Sequence, residues 1–466
     1  MIKKYFVYFT FFIGILAADV EAQQATLTLK AAVDSAMEKY AIIKAKEAYL
    51  NASRASLQGA RREYLPDLSI SGQQDFGSIN GQSGPLYGSR GLAISSGGPP
   101  MESQNWTGAF GALYLANMNW DFFSFGRIKE RINVSKAMVA RDEFDLEQEK
   151  FQQQVRVAGA YLNLLAAQRL TRSQQNNLER ASGLRAVVVN LTKNGLNAGV
   201  DSSLANAQVS SAKIELVRAL DFEQEQANQL ALLMGVTEQQ FALDSVFLTR
   251  IPATINDSVV APGNDHPTLK FFRSLVEVSD IQTRFFRTLN YPTFSLFTVI
   301  QGRGSGFDYN YGEQYPEAYS PHYWQGVKPT RGNYLAGIGF VWNLTTPLRN
   351  QQQIAAQKFT STALANQVSL AENQIRNQLL LAQNKIRNAM ANYREAPVQV
   401  KAAQDAYLQK SVLYKNGLSN IVDVTQALFA LNRAETDRDI AYGNVWQALL
   451  LKAAASGDFG IFINEF

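Results

Sequence analysis

Few of the 466 residues have the type and spacing that chemistry requires. The two histidines, His266 and His322, lie far apart; His266 precedes Pro267 at an expected helix start, His322 sits in an expected loop, and neither has a ligand-spaced partner. No metal site and no cofactor are expected. Gly302-Arg303-Gly304-Ser305-Gly306 has the composition of a phosphate-binding loop, but it follows an expected strand and no helix follows it to present backbone amides. It is assigned to a loop. No Gly-x-Ser-x-Gly elbow occurs, and without cysteine there is neither thiol chemistry nor a disulfide framework. The chain does not read as an enzyme. Two aspartates stand in matching contexts, Asp201 and Asp423, each five residues past an Asn-Gly-Leu run (Asn194-Gly195-Leu196 and Asn416-Gly417-Leu418). A carboxylate at a helix start caps backbone amides; any further role depends on the elements that hold it.

Those elements occur twice. Trp120 and Trp342, Arg127 and Arg349, Lys136 and Lys358, the Lys-Asn-Gly-Leu runs at 193–196 and 415–418, and Asp201 and Asp423 all keep an offset of 222 residues. Upstream the offset is 226, pairing Lys44 with Lys270 and Pro66 with Pro292, so the halves differ by four residues between the proline and the tryptophan. The repeat is far longer than a solenoid unit and reads as a whole subdomain copied once.

The first 22 residues read as a secretory signal peptide: Lys3-Lys4, an apolar run from Tyr5 to Ala18, then small residues before a cleavage point that leaves Gln23 first. The run is shorter than the roughly 20 residues that span a bilayer as helix. A net charge of +4, with the basic residues scattered, gives no reason to expect nucleic acid.

Each half then reads as helix, strand, strand, long helix, shorter helix. The first repeat occupies 23–235, with a helix from about Leu29 to Tyr64 and strands near 67–77 and 106–122. A linker follows at 236–263. The second repeat occupies 264–456, with strands near 293–302 and 333–345, and 457–466 is a tail. From Trp106 to Phe122 the even positions are apolar or aromatic while the odd ones include Thr107, Asn117, Asn119 and Asp121; Tyr334, Ala336, Ile338, Phe340 and Trp342 repeat the pattern. Such alternation over ten or more residues, with aromatics near the ends, marks transmembrane barrel strands. The segments between paired strands, Gly77 to Asn105 and Gly302 to Asn333, are rich in glycine, serine and tyrosine and read as exposed loops. Ile128 to Lys193 and Asn350 to Lys415 read as very long helices with coiled-coil stripes, among them Leu178, Ala181, Leu184, Val188 and Leu191, answered by Ile421, Val424, Leu428 and Leu431 on the returning helix. Their other faces are rich in Gln, Asn and Lys, so these helices stand in water.

Four strands cannot close a membrane barrel, because the open edges would leave backbone groups unpaired in hydrocarbon. Several copies must share one barrel. A coiled-coil spacer protein that transports nothing is the competing reading, and the polar strand face, which a lumen needs, stands against it.

The chain resembles the TolC-type outer-membrane factor family. The resemblance rests on Leu27-Thr28-Leu29 with Ala31-Ala32, Tyr64-Leu65-Pro66, Trp120 to Arg127, Asn194-Gly195-Leu196, and the string Tyr414 to Val424. It implies an all-α coiled-coil barrel joined to a transmembrane β-barrel, as a homotrimer with twelve strands, four from each chain. It further implies residence in the outer membrane with a helical body in the periplasm. The implied function is an exit duct for tripartite efflux or type I secretion, working with a periplasmic adaptor protein and an inner-membrane transporter. The turns Asn194-Gly195-Leu196 and Asn416-Gly417-Leu418 are the expected adaptor-docking points. Asp423, Tyr414 and Asp201 are expected near the inner constriction, where Asp423 matches a family position whose copies form an acidic ring that attracts cations. The second acidic position of that pattern is Gln426 here, and the family's basic residue in the turn is Ser419. The resemblance thus implies a single acidic ring, an Asp201 without its salt-bridge partner, and a gate held by hydrogen bonds of Tyr414.

Overall fold

A computed structural model describes residues 26–81, 100–237, 240–244, 247, 250–252 and 265–465. The expected signal peptide and the start at Gln23, residues 82–99 of the first long loop, most of the 236–263 linker and the last residue of the tail lie outside the described residues. The elements are α1 (Leu29–Lys39), α2 (Ala41–Arg62), β1 (Asp67–Ser78), β2 (Gly108–Phe123), α3 (Arg127–Lys193), α4 (Gly199–Met234), α5 (Pro267–Thr288), β3 (Thr293–Ser305), α6 (Tyr323–Val327), β4 (Arg331–Val341), α7 (Thr346–Lys415), α8 (Ile421–Ser456) and α9 (Gly460–Ile463). They fall into two compact units, one of Met1–Ala45, Glu147–Pro267 and Glu372–Phe466, the other of Lys46–Leu146 and Thr268–Ala371. Each unit draws on both halves of the repeat. The duplication therefore copied a chain path, not a compact subdomain as its length suggested.

One hydrogen bond made twice carries both sequence offsets. Trp120 Nε1 donates to the Tyr64 carbonyl at 2.8 Å and Trp342 Nε1 to the Asn290 carbonyl at 3.1 Å. The donors are 222 residues apart and the acceptors 226, as the displaced repeat requires.

The sheet unit holds four antiparallel strands in the order β1-β2-β3-β4, so β1 and β4 are free edges in the single chain. Register sorts the faces. Ile70, Ala116, Ile300 and Tyr334 share one rung, and Leu68, Met118, Thr298 and Ala336 the next rung on that face. The opposite face carries Asp67, Ser69, Ser71, Gln73 and Asp75 along β1, with Ser69 Oγ donating to Asn117 Oδ1 across the strands. At one end of the apolar face Phe76, Phe110, Tyr323 and Trp324 form a chain of rings with centroids 4.8, 5.2 and 5.2 Å apart. At the other end Phe123, Phe125, Tyr291, Phe294 and Phe340 do the same. Phe110 and Trp120 mark the two girdles on β2; ten residues of strand span about 34 Å, or about 26 Å along a barrel axis at ~40° tilt. That is the height of a membrane barrel's apolar band. A bulge between Trp120 and Phe123 ends the strict alternation and turns Phe123 toward Phe294.

Two local expectations are corrected and one is refined. The Gly302 to Ser305 stretch is strand, not loop, because β3 runs on to Ser305 beside β2. The second long loop, mostly exposed as expected, is not without structure: α6 lies on β2 and β3, Tyr114 Oη donates to the Val327 carbonyl at 3.3 Å, and Phe307, Tyr311 and Tyr319 cluster. The first helix breaks at Tyr40, whose backbone is extended (φ −66°, ψ 120°). Gly235, in left-handed conformation at the end of α4, comes so close to Lys39 that a Cβ there would sit 3.1 Å from its carbonyl. α7 runs unbroken through Pro397 although proline removes a backbone donor and crowds the preceding turn.

The helical unit buries one large cluster in which Tyr161, Phe247, Trp446 and Phe462 meet the α1 residues Leu29, Ala32 and Val33. Tyr161 Oη donates to the Leu27 carbonyl (2.8 Å) and accepts from the Asp244 amide (3.1 Å), and burial pushes its pKa up to about 12. The expected stripes meet: Leu184 and Val188 of α3 pack with Ile421 and Val424 of α8, and Ala181 with Leu428. A bidentate pair from Arg180 to Glu435 (3.1 and 2.6 Å) fixes α3 against α8. Among the described residues no helix is long and apolar enough to cross a membrane.

Candidate functional site

The site consists of the α3–α4 turn and the α7–α8 turn, both within the helical unit. Their backbones are copies. Gly195 and Gly417 both have φ +74°, the left-handed region that side chains with a Cβ rarely adopt. In the first turn the Leu196 amide donates to Leu191 O (2.9 Å) and the Gly195 amide to Thr192 O (3.0 Å); in the second, Leu418 donates to Leu413 O (2.9 Å) and Gly417 to Tyr414 O (3.0 Å). This 6→1 and 5→2 pairing is the Schellman motif. Leu196 and Leu418, which in such motifs usually pack inward, are 70% and 74% exposed. The Asn194 amide donates to Asn190 O at 3.2 Å, and the Asn416 side chain to Val412 O at 2.9 Å.

Side-chain wiring differs between the copies. Tyr414 is 2% exposed within the cluster of Leu184, Val188, Ile421 and Val424, and its hydroxyl reaches the other turn. Asn197 Nδ2 donates to Tyr414 Oη at 2.8 Å and to Asp201 Oδ2 at 3.2 Å, and Tyr414 Oη donates to Asp201 Oδ2 at 3.4 Å. Burial raises the tyrosine pKa, the Asn197 bond opposes this, and the Asp201 charge adds to it. Among the described residues Asp201 has no cationic partner, and its side-chain donors, Asn197 and Tyr414, are neutral. Asp423 Oδ2 accepts instead from Lys410 Nζ at 2.9 Å and Ser419 Oγ at 3.1 Å, and the Lys410 bond, then the Ser419 bond, lowers its pKa below the usual carboxylate value.

The structure thus brings Tyr414 and Asp201 together through Asn197, ties Asp423 to Lys410, and leaves Gln426 exposed and outside both networks. Capping, the alternative role for the aspartates, is not what their side chains do. The Asn420 side chain caps α8 by accepting from the Asp423 amide at 2.8 Å, and α4 starts at Ala198 without a side-chain cap. Asn197 and Lys410 were not legible as site residues. Asn197 stands at the 222-residue offset from Ser419 and could have been found that way; Lys410 lies 13 residues before its partner, across a turn, where no helical spacing points to it.

The two histidines stand in different settings. His266 is buried, with Nε2 3.2 Å from Ala454 O and its ring edge-to-face with Phe151; burial lowers its pKa. His322 precedes α6 without a side-chain cap bond. Among the described residues no group of three or more His, Cys, Asp or Glu side chains is placed to hold a metal.

Residues 32–236, nearly the whole first repeat, match the sequence profile of the family described as outer membrane efflux protein. No curated protein sequence matches. Among solved structures the fold is shared with the outer membrane protein VceC of Vibrio cholerae, at TM-score 0.72 and 16% identity over 92% of this chain and 96% of that one. It is shared too with the CmeC outer membrane channel of Campylobacter jejuni, at TM-score 0.72 and 14% identity over 92% and 85%. The open state of the MtrE outer membrane channel of Neisseria gonorrhoeae gives TM-score 0.68 and 17% identity over 92% and 89%. At these identities the likeness establishes the fold, and it extends over the second repeat, which the profile does not reach.

Proposed function

We propose that this chain, a member of the outer membrane efflux protein family, assembles as a homotrimer into an outer-membrane duct through which a tripartite efflux pump or a type I secretion system discharges its substrate. The carrying observation is the sheet: four strands with two free edges, one apolar face between aromatic girdles and one face that is much more polar. Joining β4 of one copy to β1 of the next pairs every edge, and three copies give twelve strands around a polar lumen. The helical unit stands in the periplasm, with its two glycine turns as the contact for a periplasmic adaptor and, beyond it, an inner-membrane transporter. The duct itself is passive and needs no cofactor. Asp201, Tyr414 and Asp423 mark its inner constriction. The test is native mass spectrometry in detergent together with planar-bilayer recording of the purified protein. Trimers that give stepwise conductance support the reading; monomers alone, or trimers without conductance, sink it.

A further inference from the structure

Register places two arginines directly opposite each other. Arg303 of β3 pairs with Arg331 of β4, in one rung with Leu113 of β2 and Gln73 of β1. This rung lies on the polar face, next to Ser71, Leu115, Gln301 and Asn333 and at the end of the sheet where the long loops join. Like charges facing each other across a pair of strands are destabilising, so the pair costs stability unless water, salt or a bound anion compensates it. Among the described residues no carboxylate does so: neither guanidinium makes an ion pair or side-chain hydrogen bond there, and both residues are exposed. Asp75, two residues along β1 from this rung on the same face, accepts from Gln73 Nε2 at 3.0 Å through both oxygens and makes no bond to either arginine. A concavity of ≈ 660 Å³ lies over this region, lined by Gln73, Asp75, Arg303, Arg331 and Asn333. At the other end of the same face stand Asp67 and Asp121, the latter bonded to Ser295.

We propose that Arg303 and Arg331 form an anion-binding girdle lining the outer end of the duct, which takes multivalent oxyanions, carboxylates or phosphates, at the exit. The planar fork of arginine engages such groups bidentately, and Gln301 and Asn333 one rung inward add neutral donors. The acidic inner end and basic outer end give the lumen a fixed charge gradient that draws anions toward the outside. This inference rests on the polar face being the lumen, as proposed above.

Planar-bilayer recordings of the full-length channel test it, with inorganic phosphate and tripolyphosphate added to either side under a potassium chloride gradient. The wild type is expected to be blocked by tripolyphosphate at lower concentration from the loop side. R303Q/R331Q should weaken that block roughly tenfold, equivalent to about 1.4 kcal/mol, and shift the reversal potential toward potassium. R303K/R331K should keep the wild-type reversal potential but lose much of the block, and D75N should strengthen the block and shift the reversal potential toward chloride. Equal block and equal reversal potential in wild type and R303Q/R331Q overturn the proposal, as does a Lys pair that shifts the reversal potential as far as the Gln pair. Were Arg331 instead tied to Asp75 of a neighbouring copy, D75N and R331Q would each destabilise the trimer in detergent without altering selectivity, which likewise overturns it. A wild type with no conductance at all sinks the duct and leaves the girdle without a lumen.

Discussion

The α3–α4 and α7–α8 turns carry the same Lys-Asn-Gly-Leu sequence, the same left-handed glycine and the same pair of backbone bonds, yet they hold their aspartates by different means. Asp201 is held by neutral donors, Asn197 and the Tyr414 hydroxyl, and Asp423 by the Lys410 ammonium and the Ser419 hydroxyl. Asn197 and Ser419 are equivalent positions and perform the same i to i+4 task. The divergence lies in α7, which supplies both Tyr414 and Lys410; their counterparts in α3 are Thr192 and Val188. A duplicated backbone turn is fixed by one glycine and two hydrogen bonds, so the side chains above it are free to diverge. Asp201 lacks a cationic partner among the described residues, as expected, whereas Asp423 is paired with a lysine of its own chain, which the sequence did not announce.

If the turns are equivalent as docking surfaces, Leu196 and Leu418 matter equally. Leu196→Glu and Leu418→Glu each place a charge where a partner would bury an exposed leucine, and loss of a hot-spot contact costs about 2 kcal/mol or more. Export supported by the pump should fall at least tenfold for each, with detergent-stable trimers unchanged, as read by dye efflux and co-purification with the transporter. Normal export by either variant breaks the equivalence; normal export by both removes the turns from docking.

The backbone half of the comparison is sharpened by Gly195→Ala and Gly417→Ala. No atom lies within 4 Å of a Cβ at either glycine, so the cost is purely that of left-handed backbone, about 1–2 kcal/mol. Thermal melts of the two variants should show equal losses. A clear inequality would mean that one turn is strained by a neighbour.

This backbone half was also the legible half. Glycine after a long apolar-striped helix signals a left-handed cap, and the 222-residue offset doubles that signal, so both turns, the stripes and the strand faces follow from spacing alone. The electrostatic half was not, because Lys410 meets Asp423 across a turn and Tyr414 meets Asn197 from a different helix pair, and no periodicity records either contact. The same limit explains the extension of β3 to Ser305, which depends on pairing with β2, a neighbour distant in sequence.

Tyr414→Phe removes the bond network of the first turn alone. It deletes the hydroxyl that links Asn197 and Asp201, for about 1 kcal/mol, and should leave the Asp423–Lys410 bond intact. Asp201→Asn should lower cation selectivity in bilayer recordings more than Asp423→Asn does, because Asp423 is paired with Lys410 and Asp201 has no cation beside it among the described residues. The reverse order would restore the acidic ring to Asp423. Lys410→Met should then raise cation selectivity by freeing Asp423.

Acid separates the second turn from the core beneath it. The folded-state pKa of Asp423 is lowered from 3.8, chiefly by Lys410. Its contribution is therefore complete above the ordinary carboxylate value and is lost only as pH falls through the lower, folded one. Between pH 7 and pH 5 this turn should not change. His266 has the opposite chemistry over a higher window: burial lowers its folded pKa from 6.5, so below about 6.5 the unfolded chain takes up a proton that the folded chain does not. Stability then falls as pH drops until the folded pKa is passed. Thermal melts at pH 7.5 and 5.0 should show this loss in the wild type and in Lys410→Met, and a smaller one in His266→Gln. A loss that disappears in Lys410→Met but persists in His266→Gln would place the acid-sensitive element in the turn after all.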